Sequence, residues 1–141
     1  MFLPRVLAAL RASAVDDVLV VVGAHDVETD AHIVRCPEWE HGPGSSLRCG
    51  LAALSDVVEA AVVVLADGPD LDPRAVDRII AAWTYDGGDV YACTYGGVRL
   101  HPVLLARAAW PLVPNEGARG LEARLVECDD LTPPGDVDEQ P

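Results

Sequence analysis

The sequence predicts a layered α/β protein with a mainly parallel sheet, on three observations. Apolar, β-branched runs at 18–22 and 62–66 read as strands covered on both faces. Segments with helical spacing alternate with such runs along most of the chain, the pattern of successive strand–helix units. The 141 residues, 50% of them hydrophobic, suit one domain with a substantial core. A single domain over 1–141 is expected, with a Pro- and acid-rich tail over 132–141.

Taken in order, Leu3, Val6, Leu7 and Leu10 follow the i, i+3, i+4, i+7 spacing of a helix with one buried face. The strand at 18–22 ends at Gly23, and a shorter one covers 32–35. After a Pro- and Gly-rich loop, Leu47, Leu51, Leu54 and Val58 mark the core face of a second helix. The strand at 62–66 comes next. Asp72 then stands where an N-cap belongs and Pro73 at the first helical position, with Val76, Ile79, Ile80 and Trp83 along one side. Gly87 and Gly88 close that helix, and 89–95 returns to extended character. A turn at Gly96 and Gly97 precedes a short strand at 103–105 and a segment around Ala108 and Trp110. Residues 121–128 are expected as a short helix running into a strand.

The charge is one-sided: 10 basic residues, all arginine, face 23 acidic ones, for a net charge of −13. That surface repels phosphate backbones, which argues against nucleic acid as a partner. The lack of lysine excludes Schiff-base chemistry and a Walker-type phosphate loop. Cys36, Cys49, Cys93 and Cys128 lie far apart, without the short spacings of zinc sites, and are expected as small free hydrophobes in a reducing compartment. Ala12, Ser13 and Ala14 imitate a signal-peptidase site, but Arg5 and Arg11 interrupt the preceding apolar run. No run reaches the ~20 apolar residues of a membrane helix. The expectation is a cytoplasmic protein. His25, His32, His41, Glu38 and Glu40 match no metal-ligand spacing, and no serine stands in a nucleophile-elbow context.

Two features carry chemistry. A glycine- and serine-rich turn, Gly42, Pro43, Gly44, Ser45, Ser46, opens the second helix, where free amides and the positive end of the macrodipole favour an anion. Arg48, read as lying in the first turn, opposes that dipole and asks for an anion of its own. The 62–66 strand delivers Asp67 to the carboxyl rim of the sheet, where ligands bind in open α/β folds and where a carboxylate suits a divalent cation. Each has a plainer reading: serines cap helices, glycines relieve crowding, and an aspartate before Pro69 can cap a turn.

The order of these landmarks resembles the MobA-like nucleotidyltransferases, in particular the molybdenum cofactor cytidylyltransferases. The family's Gly-Met-small-Ser-Ser-Leu-Arg-any-Gly-Leu pattern is similar to Gly42 through Leu51, and its Leu-any-Asp-any-Pro to Leu65, Ala66, Asp67, Gly68 and Pro69. Its Gly-His-Pro-Val-Leu is matched by His101, Pro102, Val103 and Leu104, with Leu100 for the glycine. Asn115 to Arg119 resembles its Gly-Asp-any-Gly-Ala-Arg turn, with the leading pair altered. Asp136, Val137, Asp138 resembles its closing Asp-Ile-Asp.

The resemblance implies a Rossmann-like three-layer α/β/α fold of the nucleotide-diphospho-sugar transferase type. It also implies a Mg²⁺-dependent transfer of a nucleoside monophosphate, CMP from CTP or GMP from GTP, to a phosphorylated acceptor such as molybdopterin, with release of pyrophosphate. Asp67 and Asp138 are the implied metal ligands and catalytic carboxylates, and Gly44, Ser45, Ser46, Arg48, His101 and Arg119 the implied nucleotide and substrate contacts. A homo-oligomer or a molybdoenzyme is the implied protein partner. The family opens with a strand and a glycine-rich phosphate loop that this chain is expected to lack. Such a strand would be central, so its neighbours should be left with bare edges. An inactive paralogue that binds nucleotide or protein is the competing expectation.

Overall fold

The computed structural model describes residues 3–23 and 27–135. Helix α1 (Leu3–Arg11) buries Leu3, Val6, Leu7 and Leu10, the face its spacing predicts. Strands β1 (Leu19–Val22) and β2 (His32–Arg35) pair in parallel. Helix α2 (Pro43–Ala52) starts one residue after Gly42, whose φ of 114° only glycine takes readily, and has Pro43 at its first position. It therefore begins earlier than the leucine spacing suggests and ends before Val58. Strand β3 (Ala60–Val63) stops short of the expected 62–66 run, so Asp67 lies in the turn beyond the strand and not on its last residue.

Helix α3 (Pro73–Asp86) forms as its cap predicts: the Asp72 carboxylate accepts from the Arg74 N–H, and Gly87 ends the helix at a φ of 69°. Strands β4 (Val90–Tyr95) and β5 (Val98–Ala106) form an antiparallel hairpin through Gly96 and Gly97, both at positive φ. β5 is three times the length the sequence suggested. A register shift at Ala92/Cys93 sets Val103 and Leu100 against consecutive residues of β4, and this bulge accommodates Pro102, which has no N–H for a ladder. Residues 107–112 and 118–120 are 3₁₀ turns, and β6 (Arg124–Glu127) pairs in parallel with β4. The helix expected at 121 does not form; Leu121 is already extended.

The strands form two sheets among the described residues: β1-β2, and β3-β5-β4-β6, in which β5 alone runs against the others. The sheet is thus mixed, and β1, β2, β3 and β6 each pair on one side only. The fully paired β4 is buried throughout, whereas β3 is half-buried along its length.

Helix α2 covers one face, its leucines joining Val90, Ala92, Val103, Leu105 and Trp110. Helix α3 covers the other, with Ile79 against Tyr91, Cys93 and Leu104. Helix α1 packs beside α3 through Val6, Leu10 and Val76. This is the α/β/α layering expected.

The cysteine expectation is corrected. Cys36 and Cys49 form a disulfide with a Cα–Cα separation of 5.9 Å, linking the end of β2 to α2. Cys36 is buried and Cys49 half-buried on α2, a proximity that a 13-residue spacing does not reveal. The inference of a reducing cytoplasm loses its support with it. Cys93 and Cys128 are free and buried, as expected. No described helix is long and apolar enough to cross a membrane.

Candidate functional site

Three distant segments meet just beyond β3. Leu65 donates its backbone N–H to Nδ1 of His101 at 3.4 Å, and Gly68 N–H closes the turn on Leu65 O at 3.3 Å. A Cβ on Gly68 would fall 2.8 Å from the His101 ring and 3.2 Å from Pro134, so only glycine lets these groups approach. Pro134 O accepts from the Asp70 N–H at 2.9 Å. Asp67 is half-buried at the centre of this turn. The root of the tail is therefore fastened beside Asp67, while Asp136 and Asp138 lie outside the described residues.

His101 is buried, and Tyr95 holds it by donating its hydroxyl to the His101 carbonyl at 3.1 Å. Burial, reinforced by Cys93, pushes the Tyr95 phenol well above its ordinary pKa, which keeps it a donor. Arg5 pairs with Asp70 at 3.1 Å on the rim of the same turn.

A second cluster surrounds the start of α2. The Gly44 N–H donates to Asn115 O at 2.8 Å and Ser45 N–H to Gly42 O at 3.1 Å, so these first-turn amides have protein partners. Ser45 is buried and Ser46 half-buried. Because α2 begins at Pro43, Arg48 lies in its second turn and not its first. Its guanidinium donates to Val113 O at 2.5 Å and to Asn115 Oδ1 at 2.7 Å. The expectation that Arg48 needs an anion gives way to a positioning role, clamping the 113–115 loop to the helix.

Gly117, at φ 101°, turns that loop past Pro43 and leads to Arg119, which is exposed. Among the described residues Arg119 has neither an ion pair nor a hydrogen bond, and it does not neutralise Glu116. Arg99 joins the two clusters: from β5, two residues before His101, it donates to Leu121 O at 2.7 Å and Ala118 O at 3.0 Å.

Sequence reasoning therefore singled out Asp67, His101, Gly44, Ser45 and Arg119 but missed the residues that hold them. Asn115, Arg99, Tyr95 and Pro134 act through contacts to residues remote in sequence. Only Asn115 left a trace, as an altered position in the turn before Arg119.

Among the described residues no three His, Cys, Asp or Glu side chains gather as a ready-made metal cage. Asp67 offers a single described carboxylate there, an oxygen donor of the kind Mg²⁺ takes together with waters and substrate phosphates.

Comparison with known proteins gives a consistent picture. A family model described as a MobA-like NTP transferase domain matches residues 1–129. Among solved structures, a homologue of Mycobacterium tuberculosis rv0371c from Mycobacterium sp. strain JC1 is similar at 25% identity and a TM-score of 0.77. The match covers 98% of this chain and 77% of that one. Rv0371c from M. tuberculosis H37Rv matches at 22% identity and a TM-score of 0.76, covering 98% of this chain and 79% of that one. The same protein in complex with manganese matches at 23% and 0.75, covering 99% and 82%. No curated protein matches.

Proposed function

Because the chain belongs to the MobA-like NTP transferase domain family, we propose that it moves CMP from CTP onto a phosphorylated acceptor of the molybdopterin type. The acceptor's terminal phosphate oxygen attacks the α-phosphorus, and the bond to the β-phosphate breaks to release pyrophosphate. Such chemistry needs positioning and charge neutralisation rather than a side-chain nucleophile.

The observation that carries this reading is the meeting of the Asp67 turn, His101 and the Pro134 root at one rim. Segments far apart in sequence meet there at the turn that carries the Asp67 carboxylate. Asp67, with Asp138 beyond the described residues, would hold Mg²⁺, which when bound neutralises triphosphate charge. The manganese complex of the mycobacterial relative is in keeping with a hard, oxygen-bound divalent ion. Arg119, unpaired in a chain of net charge −13, is the cation placed to meet a phosphate. His101 lines the acceptor side through its position beside Asp67's turn, and Ser45 and Ser46 the nucleotide side.

Titration calorimetry with CTP and Mg²⁺ tests the binding step. Heat is expected from the wild type and most of it lost in Asp67→Ala. No heat from either protein would end the nucleotide reading.

A second reading, a domain that binds nucleotide or a protein partner without turnover, is favoured by one observation. The Gly44 amide and the Arg48 guanidinium, natural phosphate donors, are engaged with the 113–115 loop. Pyrophosphate release in the presence of acceptor separates the two: binding heat without release supports this second reading.

A further inference from the structure

Ser45 and Ser46, on the nucleotide side of the site, lie inside one covalent ring. The Cys36–Cys49 bridge closes it, and the same ring holds Gly44 and Arg48, which fasten α2 to the 113–115 loop. The bridge also touches the site. Cys36 Sγ lies 3.6 Å from the Ser46 carbonyl oxygen, and Cys49 follows Arg48 directly on α2.

The two arms of the ring are unequally held. The α2 arm is tied to Val113 and Asn115 by the Gly44 N–H and the Arg48 guanidinium. The other arm, 37–41, is exposed at every residue. Among the described residues its hydrogen bonds are local, His41 N–H to Glu38 O at 3.0 Å and Gly42 N–H to Trp39 O at 3.1 Å, and Trp39 leans on Gly23. Segments with few buried contacts and solvent-facing bonds open most readily. A covalent closure removes much of the freedom such an arm would have, so the bridge fixes the approach to the Ser45 turn.

One sulfur of the bridge is open to a reagent. Cys49 is half-buried, whereas Cys36 is 1% exposed. Cys93 and Cys128 are wholly buried, and burial raises the Cys93 thiol well above its ordinary pKa, so this free pair is inert by comparison.

We propose that the Cys36–Cys49 bridge is a redox switch on the nucleotide site: closed, it presents the Ser45–Ser46 turn preformed, and opened by a dithiol it frees the 37–46 arm and weakens nucleotide binding. This regulation rests on the nucleotide reading of the site. A thiolate of the dithiol attacks Cys49 Sγ, the Cys36–Cys49 bond breaks, and Cys36 leaves as a thiolate that takes a proton from water. The second thiolate of the dithiol then attacks its own sulfur in the mixed disulfide, and Cys49 leaves and is protonated in turn. The dithiol ends as a cyclic disulfide, its electron pair passed to the two cysteines, and the reverse exchange recloses the bridge. With the ring closed, nucleotide meets an ordered arm; with it open, binding must supply that order. The coupling is reciprocal, so bound nucleotide resists reduction by the same factor.

The test is titration calorimetry of the full chain with CTP and Mg²⁺, on the oxidised protein, on protein reduced with dithiothreitol and then freed of it, and on Cys49→Ser. Amide hydrogen exchange is followed on each. The reduced protein and Cys49→Ser should bind at least about fivefold more weakly than the oxidised protein, with faster exchange confined to 37–46 while β4 and β5 stay protected. Reoxidation should restore the affinity of the wild type and leave Cys49→Ser unchanged. Equal affinities in the oxidised and reduced proteins would overturn the switch and leave the nucleotide reading standing, whereas no heat from the oxidised protein would remove both. Loss of protection across β4 and β5 on reduction would also overturn it, making the bridge a staple of the whole fold.

Discussion

Replacing Gly44 by alanine probes the joint between α2 and the 113–115 loop, and Gly50→Ala in the same helix serves as its control. Both glycines are buried within α2, and neither has a positive φ. Alanine thus imposes no backbone strain at either, and each gains up to about 1 kcal/mol of helix preference. The difference lies in what the new methyl meets. At Gly44 it would land on the Pro114 carbonyl oxygen and 2.9 Å from the Asn115 carbonyl carbon, atoms of backbone that cannot rotate away. At Gly50 it meets one methyl of Val21, which can. Forcing the loop off α2 forfeits the Gly44 to Asn115 hydrogen bond, about 1 kcal/mol, and weakens two charge-assisted bonds from Arg48, each about 1.5–3 kcal/mol. After the helix gain, Gly44→Ala should be destabilised by about 2–4 kcal/mol, and Gly50→Ala should stay within about 1 kcal/mol of wild type, the cost of an off-rotamer valine offsetting its gain. Urea unfolding at 25 °C reads this as a midpoint about 1–2 M lower for Gly44→Ala. Equal midpoints for the two variants would refute the reasoning that the loop is locked onto the helix.

The Cys36–Cys49 bridge closes a loop of sequence separation 13 that holds the entire start of α2, so reduction should cost about 3 kcal/mol. Urea midpoints with and without reductant check this, and an unchanged midpoint contradicts it. Arg78 donates two hydrogen bonds of 2.7 Å to the carboxylate of Asp130 and holds its pKa at about 2, below the ordinary 3.8. A depressed carboxylate contributes stability that is present above about pH 4 and lost as the pH falls through 2. Carboxyl NMR should show Asp130 titrating near 2, moving into the ordinary range in Arg78→Gln; a wild-type value near 3.8 would remove the claim.

What the sequence discloses and what it hides divide by range. The α3 helix is legible because Asp72 and Pro73 are local signals read within one turn. The face of α1 is legible because burial imposes a 3.6-residue period, whereas of the four residues marked for α2 only Leu47 and Leu51 lie within Pro43–Ala52. The first half of β5 is hidden because Val98 and Leu100 are exposed, Arg99 turns to the 118–121 loop, and Pro102 ordinarily argues against a strand interior. Its placement between β3 and β4 is a property of the whole sheet that no window of residues contains. At the candidate site, Asp67, His101 and Gly44 were legible as motif residues. Their surroundings were not: Arg48 finds its partners 65 and 67 residues away, and Cys36 finds Cys49 across a loop whose length carries no signature.

The arginines explain why any anion site here must be local. With no lysine and a net charge of −13, the surface field repels a triphosphate at long range. Nearly every guanidinium is already committed. Arg5, Arg11, Arg74 and Arg78 face aspartates. Arg48, Arg99 and Arg107 donate to backbone carbonyls, and Arg124 lies over the Tyr91 ring. Those bonds build the fold, since planar forks suit carboxylates and paired carbonyls. They leave Arg119, among the described residues, as an exposed cation on the loop that packs against the start of α2, and in the proposed reading a divalent ion would supply the rest of the charge neutralisation. The nucleotide site proposed above would therefore lean on its divalent ion, since among the described residues most arginines are engaged in building the fold.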